Sequence, residues 1–437
     1  MARRRTRIPL SVYLNGRLVG HLRRQSSGAI DFRYDPSWLE WDHALPVSLS
    51  LPLREDRFSG DPVIAVFDNL LPDSDAMRRR LAERTRAEGH DAYSLLAAVG
   101  RDCVGALQFL PEDQAPGLAG KVSGRAIGER DIARILDDLA RTPLGVAEDE
   151  SFRISLAGVQ DKTALLYWKT SWHLPHGTTA TTHIFKPQIG PLPGGIDLSQ
   201  SVENEHFCMR LTAAFGLATA RTKIQEFSGK HVLVVERFDR VWTKDKRLLR
   251  LPLEDFCQAL SVPPTRKYEP DGGPGMHDIA GVLKGSDVPE SDLRAFFKAQ
   301  IVFWLIGATD GHAKNFSIFL APGGRFHLSP LYDVMSVQPN LDAGQIRRNR
   351  AKLAMAVGDR RHYVLDTVLP RHFLQTAKRC GVSLALIRDI FCEIADTAPA
   401  AIDTALADLP RGFPNHITDS IVGGLRQRLR TLERASA

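Results

Sequence analysis

The chain has 437 residues, a formal net charge of +6 and five cysteines, with 43% hydrophobic and 25% charged residues. This length predicts two or three domains, and the composition is that of a globular protein and excludes global disorder. The cysteines are scattered without a Cys-x-x-Cys pair, which argues against a disulfide framework and against structural zinc. No apolar run is long enough to span a bilayer, and no signal-peptide segment follows the basic N-terminus. We therefore expect a cytoplasmic protein with no membrane partner.

The basic residues form local clusters at positions 3–7, 78–80, 347–350 and 426–430. A net positive charge is compatible with an anionic partner without identifying one. Taken alone, each cluster is most simply a solvated helix face or a chain end. No aromatic side chains alternate with the clusters, so nothing indicates a stacking platform for single-stranded nucleic acid.

The first part of the chain predicts an α+β subdomain over residues 1–115. Apolar and polar residues alternate across residues 11–23 on either side of Asn15-Gly16, which is the strongest short-range signal for a β-hairpin. Further strands are predicted at residues 29–34 and 105–110, helices at 75–87 and 92–99, and either a helix or a strand at 63–67. A linker containing Pro116, Gly117 and Gly120 follows.

The remainder predicts an α+β region over residues 121–258 and a mostly helical region over residues 259–437. In the first region, strands are predicted on both sides of a small-residue turn at 155–158 and at 181–187, a helix at 201–215 and a hairpin through 228–230. In the second region, Ser291 is predicted to cap a long helix that ends at Ile306, and further helices are predicted at 371–380, 383–397 and 418–435.

Three polar residues beyond the long helix have the order of a kinase active site. Asp310 is followed by four residues and then Asn315, and Asp333 comes after a predicted pair of short strands. In protein kinases an Asp accepts the proton of the attacking hydroxyl, an Asn holds one magnesium ion, and a later Asp holds the metals that bridge the phosphates. The alternative is a polar loop in which Asp310 caps a helix and Asn315 lies in a turn.

Lys186 and Glu205 precede these residues in the order that a kinase requires. A lysine on a strand, paired with a glutamate on the following helix, can hold the α- and β-phosphates of ATP. The alternative for Lys186 is an exposed lysine on an edge strand.

Two other segments fall where a kinase needs a phosphate loop and a hinge. Backbone amides of the turn Ser155-Leu156-Ala157-Gly158 could cover the phosphates, and residues 234–240 could join two lobes. The alternatives are an ordinary hairpin turn and a strand that ends in a charged turn. No Walker-type and no G-x-G-x-x-G motif is present.

His312 and Lys314 lie between Asp310 and Asn315. A cation at either position could offset charge on the transferred phosphoryl group. For His312, a hydrogen bond that holds the loop is the simpler role.

Across nearly its whole length the sequence resembles the HipA family, the toxin kinases of HipBA toxin–antitoxin modules. The segments that carry the resemblance are DNLLP at 68–72, SLAGVQDKTALL at 155–166, THIFK at 182–186, VERFDR at 235–240, KYE at 267–269, DGGPG at 271–275 and GATDGHAKNFS at 307–317. The resemblance implies a serine/threonine protein kinase of α+β class, with a protein-kinase-like two-lobe fold. An N-terminal α+β region with small sheets and a mostly helical C-terminal lobe are expected.

The resemblance also implies roles for individual residues. Asp310 is expected to be the catalytic base, Asn315 and Asp333 the Mg²⁺ ligands, Glu205 the partner of Lys186, and Ser155 the site of an autophosphorylation that inactivates the kinase. A dianion on this loop would repel the phosphates of ATP. The residues expected to bind ATP are Ser155, Leu156, Ala157, Gly158, Lys162, Lys186, Glu236, Phe238, His312, Lys314 and Tyr332.

The partners that the resemblance implies are a HipB-like helix-turn-helix antitoxin, operator DNA bound through the toxin–antitoxin complex, and an aminoacyl-tRNA synthetase as substrate. Glutamyl-tRNA synthetase is the expected target, whose phosphorylation would arrest translation and induce dormancy and persistence. Lys378 and Arg379 are candidate contacts to DNA phosphates.

Two other functions stay open at this stage. The chain could be an antitoxin-bound co-repressor on DNA with vestigial kinase activity, although the complete set of Lys186, Asp310, Asn315 and Asp333 weighs against it. A lipid or small-molecule kinase would share the same catalytic spacing.

Overall fold

The structure, a computed structural model, describes residues 9–139, 156–158 and 160–436. Ser155, the expected autophosphorylation site, lies outside these residues.

The N-terminal part is built on one antiparallel sheet. Its strands are β1 (Leu10–Leu14), β2 (Arg17–Arg24), β3 (Ile30–Tyr34), β4 (Phe58–Ser59) and β5 (Leu107–Pro111), in the spatial order β4-β3-β2-β1-β5. The predicted hairpin is confirmed: Asn15 and Gly16, between β1 and β2, both have positive φ, as a two-residue turn of this type requires.

Helices α1 (Pro36–Leu39), α2 (Asp61–Asp68) and α4 (Ala92–Val99) pack against this sheet, and α3 (Asp75–Thr85) packs against α4. The ambiguous segment 63–67 is helical, with Pro62 in its first turn and Val63, Val66 and Phe67 buried. The two other predicted helices are confirmed, and the side chains of Ser74 and Asp91 cap α3 and α4.

The described residues of the central part form a six-stranded antiparallel sheet, shorter strands and two helices. Its elements are β6 (Gly124–Ile127), α5 (Glu129–Leu139), β7 (Thr163–Trp168), β8 (Ser171–Pro175), β9 (His183–Pro187), β10 (Gly190–Leu192), β11 (Ile196–Leu198), α6 (Ser201–Ala214), β12 (Thr222–Phe227), β13 (Lys230–Glu236), β14 (Arg240–Trp242) and β15 (Leu248–Arg250). The large sheet has the order β12-β13-β9-β7-β8-β6, so β9 is paired on both sides.

The C-terminal part is mainly helical. Its elements are β16 (Leu253–Asp255), α7 (Phe256–Ala259), α8 (Met276–Leu283), α9 (Pro289–Ile306), β17 (Ser317–Ala321), β18 (Arg325–Leu328), α10 (Gln338–Asp342), β19 (Lys352–Val357), β20 (His362–Val364), α11 (Pro370–Arg379), α12 (Leu384–Ala407) and α13 (Asn415–Ser436).

Two helix predictions in this part are wrong at one end. Helix α9 begins at Pro289, since proline fits the first helical position, and Ser291 therefore lies inside the first turn instead of capping it. Helix α12 continues past residue 397 and through Pro399 because Ala398, Ala401 and Ile402 extend its buried face.

A large hydrophobic core runs through the N-terminal part, helix α6 of the central part and the C-terminal part, and includes Phe67, Phe207, Phe256, Trp304 and Phe391. A smaller core packs α5 against the six-stranded sheet. The expected α+β class and two-lobe arrangement are confirmed. The N-terminal part contacts the central part through Asp102 and Thr181 and the C-terminal part through α2 and α7.

Candidate active site

A cavity of about 260 Å³ lies where the six-stranded sheet, the helical part and the N-terminal part meet. The residues expected from the sequence that line this cavity are Leu156, Ala157, Gly158, Lys162, Lys186, Glu205, Glu236, Phe238, Asp310, His312, Lys314, Asn315, Tyr332 and Asp333. The structure thus brings together every expected site residue that it describes.

Lys186 is the central cation of the cavity. It lies on β9 inside the sheet, so the alternative of an edge-strand lysine is wrong. Its buried ammonium donates to Oε1 of Glu205 on α6 at 2.7 Å and to Oδ1 of Asp333 at 2.7 Å. Burial opposes the charge of Lys186, but Asp333 and Glu205 outweigh it and raise the pKa of the ammonium.

Asp333 has a backbone φ of 61°, which is uncommon for a residue other than glycine. Its side chain is 43% exposed at the cavity; partial desolvation disfavours the carboxylate, but Lys186 and Lys162 outweigh this and hold the pKa of Asp333 well below its usual range. The carboxylate therefore stays charged at neutral pH. Such left-handed residues are found at functional sites, where the surrounding structure holds them in place.

The loop that carries Asp310 follows the buried helix α9, which ends where Gly307 adopts φ 71°. Asp310 caps no helix, so this alternative is wrong, whereas Asn315 does lie in a short 3₁₀ turn, Ala313–Asn315. The amide nitrogen of Asn315 donates to the backbone oxygen of Asp310 at 2.9 Å. This bond closes the loop and sets the two side chains at one end of the cavity.

Tyr332 fastens the same loop to the strand that follows it. Its hydroxyl donates to the backbone oxygen of Lys314 at 2.8 Å and lies 2.5 Å from Oγ of Ser317.

Burial lowers the pKa of His312 to about 3, with a further contribution from Lys267, so His312 is a neutral ring here. A neutral His312 supports packing within the loop instead of supplying a cation.

The N-terminal part contributes a carboxylate that the sequence did not single out. Asp73 accepts from Nζ of Lys314 at 2.8 Å and from Nζ of Lys267 at 2.8 Å, and all three side chains are buried. The two lysines outweigh the effect of burial and lower the pKa of Asp73 to about 2. Lys267 lies within the KYE segment at 267–269, but nothing in its spacing indicates a partner near residue 73.

The loop around Gly158 closes one side of the cavity. Gly158 pairs with Pro72 in a short parallel bridge, and the backbone N–H of Asp73 donates to its carbonyl at 3.1 Å. Gly158 has φ 108°, and a Cβ added there would lie 2.6 Å from Nζ of Lys162. Position 158 therefore requires glycine for two reasons: its backbone has a positive φ, and the ammonium of Lys162 occupies the space that a Cβ would need.

The segment expected to be a hinge lies at the end of β13. Glu236 is the last residue of the strand and lines the cavity, and Phe238 packs 5.8 Å from the ring of Tyr332. Arg237 and Asp239 form an ion pair in the interior. The segment is thus a strand end whose charged residues are mostly buried and not solvated.

Other cavity residues that the sequence did not indicate are apolar or belong to distant segments. They include Asn69, Asp73, Val104, Ile184, Leu253, Asp255 and Lys267. Strand periodicity could have suggested that Ile184 and Leu253 are buried, but not that they share a cavity.

Comparisons with known proteins find similar sequences along nearly the whole chain. The family model described as HipA N-terminal domain matches residues 10–110, and the one described as HipA-like C-terminal domain matches residues 154–402. The chain is 37% identical to the protein Y4mE of Sinorhizobium fredii over 95% of this chain and 97% of that protein. It is 26% identical to the serine/threonine-protein kinase toxin HipA of Shewanella oneidensis over 92% of this chain and 90% of that protein.

A solved complex of HipA, HipB and operator DNA from Shewanella oneidensis MR-1 contains a chain of similar fold. The TM-score is 0.81 at 24% sequence identity, with 98% of this chain and 99% of that chain covered.

Among the described residues, no helix has both the length and the apolarity needed to cross a bilayer.

Proposed function

The chain belongs to the HipA family of toxin kinases, and we propose that it transfers the γ-phosphate of ATP to a serine or threonine of a protein. The observation that carries this proposal is the position of Lys186, which bonds Glu205 and Asp333 in the cavity that Asp310 and Asn315 also line. A strand lysine paired with a helix glutamate, beside a metal-binding carboxylate and a base, is the arrangement that kinases require.

The cavity has the chemistry to bind ATP. Val104, Ile184, Val235 and Leu253 supply apolar surface for the adenine, close to Phe238 at the hinge. At the other end of the cavity, the Lys162 side chain is largely buried, and among the described residues its ammonium makes no hydrogen bond.

Lys162 is therefore suited to an anion. Burial, followed by the nearby charge of Lys186, lowers the pKa of Lys162 to about 8. An unpaired buried ammonium is unfavourable, and a phosphate oxygen would relieve this. Lys162, Lys186 and the backbone of 156–158 would hold the phosphates.

Asn315 and Asp333 suit magnesium. The amide nitrogen of Asn315 is committed to Asp310, which leaves its oxygen for a cation, and Asp333 uses only Oδ1 for Lys186. In the described part of the chain no group of three His, Cys, Asp or Glu side chains could hold a metal. Magnesium at kinase sites takes one or two carboxylates and completes its shell with phosphates and water. When bound, it offsets the negative charge of the phosphates.

Asp310 is the proposed base. Its side chain is 55% exposed and can therefore reach the hydroxyl of an acceptor entering the cavity. Asp310 would accept the proton of that hydroxyl as its oxygen attacks the γ-phosphorus. Lys314 would stabilise charge near the reacting group, while Tyr332, Leu156 and Ala157 shape the cavity.

Transfer of label from γ-labelled ATP to a generic protein acceptor with Mg²⁺ tests the proposal. Asp310→Asn should lower the rate at least about 1000-fold, because neither the base nor its charge remains. The exposed Asp245→Asn is the matched control and should leave the rate unchanged. Equal rates for Asp310→Asn and the unaltered protein would exclude Asp310 as the base.

The proposed acceptor is an aminoacyl-tRNA synthetase, and glutamyl-tRNA synthetase is the first candidate. Loss of its aminoacylation activity would arrest translation and lead to dormancy. The toxin name of the Shewanella relative supports a growth-arresting target. Purified glutamyl-tRNA synthetase should take up label and lose aminoacylation activity in step. If it takes up none, mass spectrometry of a lysate treated with active protein and with Asp310→Asn would identify the true acceptor.

Autophosphorylation of Ser155 is the proposed mode of inactivation. Its neighbours Leu156 and Gly158 line the cavity, so a phosphate on Ser155 would compete with those of ATP. After incubation with ATP, peptide mass spectrometry should find phosphate on Ser155. Ser155→Ala should then stay active for longer than the unaltered protein.

A small HipB-like helix-turn-helix protein is the proposed partner, acting with this chain on operator DNA in the cytoplasm. The similar chain solved with HipB and operator DNA supports this partnership. Lys378 and Arg379, exposed at the end of α11, are candidates for the DNA contacts. Expression without the partner should stop growth for the unaltered protein but not for Asp310→Asn. Normal growth in both cases would favour a co-repressor with vestigial kinase activity.

A further inference from the structure

Tyr268, which the proposed mechanism does not use, makes the shortest polar contact to Asp310. Its hydroxyl donates to Oδ1 of Asp310 at 2.6 Å. The other oxygen, Oδ2, lies 4.0 Å from Nε2 of His312, beyond hydrogen-bonding distance. One carboxylate oxygen is thus committed, and the other is left for a proton.

Tyr268 is held in place from several sides. Its ring packs edge-on against His312, with 4.9 Å between ring centroids, and the ammonium of Lys267 lies 5.4 Å from its centroid. The backbone N–H groups of Asp271 and Gly273 both donate to its carbonyl. A Cβ at Gly273 would lie 1.9 Å from the carbonyl oxygen of Arg266, so this loop closes tightly behind Tyr268.

Asp73 links the two segments that meet at this hydrogen bond. One of its oxygens bonds Lys267, which directly precedes Tyr268, and the other bonds Lys314, four residues after Asp310. Because Asp73 belongs to the N-terminal part, the relative position of Tyr268 and Asp310 depends on a residue outside both lobes.

We propose that Tyr268 is a positioning residue that orients Asp310 through Oδ1, so that Oδ2 receives the proton of the acceptor, and that Asp73 keeps Tyr268 in this place. The inference rests on the proposed kinase function. A base must be held by a third group to stay aligned with its substrate, and small misplacements of reacting groups slow catalysis strongly. The opposite possibility is that the hydroxyl of Tyr268 occupies the position of the acceptor and blocks it.

The first test is Tyr268→Phe in the full chain, which keeps the ring and removes only the hydroxyl. The kcat for phosphorylation should fall about 10-fold to 100-fold, whereas KM for ATP should not change, because the hydroxyl faces the base and not the nucleotide. Tyr363→Phe is the matched control, since its hydroxyl bonds Arg361 away from the cavity, and it should leave kcat unchanged.

A kcat equal to or above that of the unaltered protein would overturn the proposal, and a higher kcat would indicate a blocking role. A parallel fall in the melting temperature and in ATP affinity would show a structural role only and would overturn it as well. Failure of the kinase function itself is distinguishable, because the unaltered protein would then show no transfer.

The second test places Tyr268→Phe in an Asp73→Asn background. If Asp73 acts through Tyr268, the fold-loss in kcat from removing the hydroxyl should be smaller there than in the unaltered protein. Asp75→Asn, two residues away and exposed, is the control background and should preserve the full loss. Equal fold-losses in all three backgrounds would refute the link to Asp73 while leaving the role of Tyr268 to the first test.

Discussion

Asp102 in the N-terminal part accepts from Nη2 of Arg240, the first residue of β14, at 2.9 Å, with both side chains buried. Arg237 and Arg250 contact the same carboxylate, and Asp239 pairs with Arg237 and Arg240. Burial opposes the charge of Asp102, but the three guanidinium groups outweigh it and hold its pKa far below its usual range. The cluster therefore joins the N-terminal part to the segment that follows β13 through buried ion pairs that share the same carboxylates.

Asp102→Asn should destabilise the protein by about 3 to 5 kcal/mol, because it leaves buried guanidinium groups without their counter-charge. The free energy of unfolding in urea measures this. Asp245→Asn, which breaks an exposed pair with Arg247, is the control and should change stability by less than about 1 kcal/mol. Similar losses for the two variants would contradict the role assigned to the cluster.

Glu254 should make stability depend on pH. Its side chain is buried where Leu49 of the N-terminal part donates to Oε1, and Oε2 has no partner among the described residues. Burial raises the pKa of Glu254 from the ordinary 4.5 to about 8. Between these values the folded protein keeps a proton that the unfolded chain releases, so the free energy of unfolding should fall as pH rises.

Urea unfolding at pH 5 and pH 8 would measure this effect. Glu254→Gln, which mimics the protonated acid, should lose less stability over this interval than the unaltered protein. The exposed Glu88→Gln is the control and should behave like the unaltered protein. An identical pH dependence in all three would show that Glu254 does not titrate in this range.

Gly158→Ala should weaken ATP binding about 10-fold. The new methyl group would lie 2.6 Å from Nζ of Lys162 and would displace the ammonium that we propose holds a phosphate. The lost hydrogen bond to a charged group would cost on the order of 1.5 to 3 kcal/mol of binding free energy. Titration of the protein with ATP measures the dissociation constant. Gly177→Ala shares the positive φ but has no atom within 4 Å of the added Cβ, so its affinity should not change.

Glu205→Gln should lower kcat/KM about 10-fold to 100-fold. The amide oxygen could still accept from Lys186, but the charge that balances Asp333 would be lost. The ammonium would then shift towards Asp333 and away from the position proposed for the phosphates. Steady-state label transfer measures the effect. Glu203→Gln, on the same helix and bonded to Gln188, is the control, and a loss as large there would point to damage to α6 instead.

Local features of the chain could be predicted from sequence because their causes are local. The hairpin at Asn15-Gly16 follows from two residues that tolerate positive φ, and the hairpin through 228–230 has the same basis, with positive φ at Ser228 and Gly229. The order of Lys186, Asp310 and the later site residues indicated a kinase because phosphoryl transfer needs a phosphate-binding lysine, a base and metal ligands, and these residue types occur in that order. The predicted boundaries at 115, 121 and 258 stay predictions.

Only the tertiary structure decided which distant side chains share the cavity. Asp73 meets Lys267 across 194 positions and Lys314 across 241, and Asp102 meets Arg240 across 138. Periodicity and capping describe neighbours within a few residues, whereas a buried charge is stabilised by whichever opposite charge the packing brings within about 3 Å. The sequence by itself determined the elements and the order of the candidate catalytic groups. The packing of the N-terminal part determined how Lys267 and Lys314 are held, since Asp73 reaches both only in the folded chain. The packing of the two lobes brought Lys186 to Glu205 and Asp333.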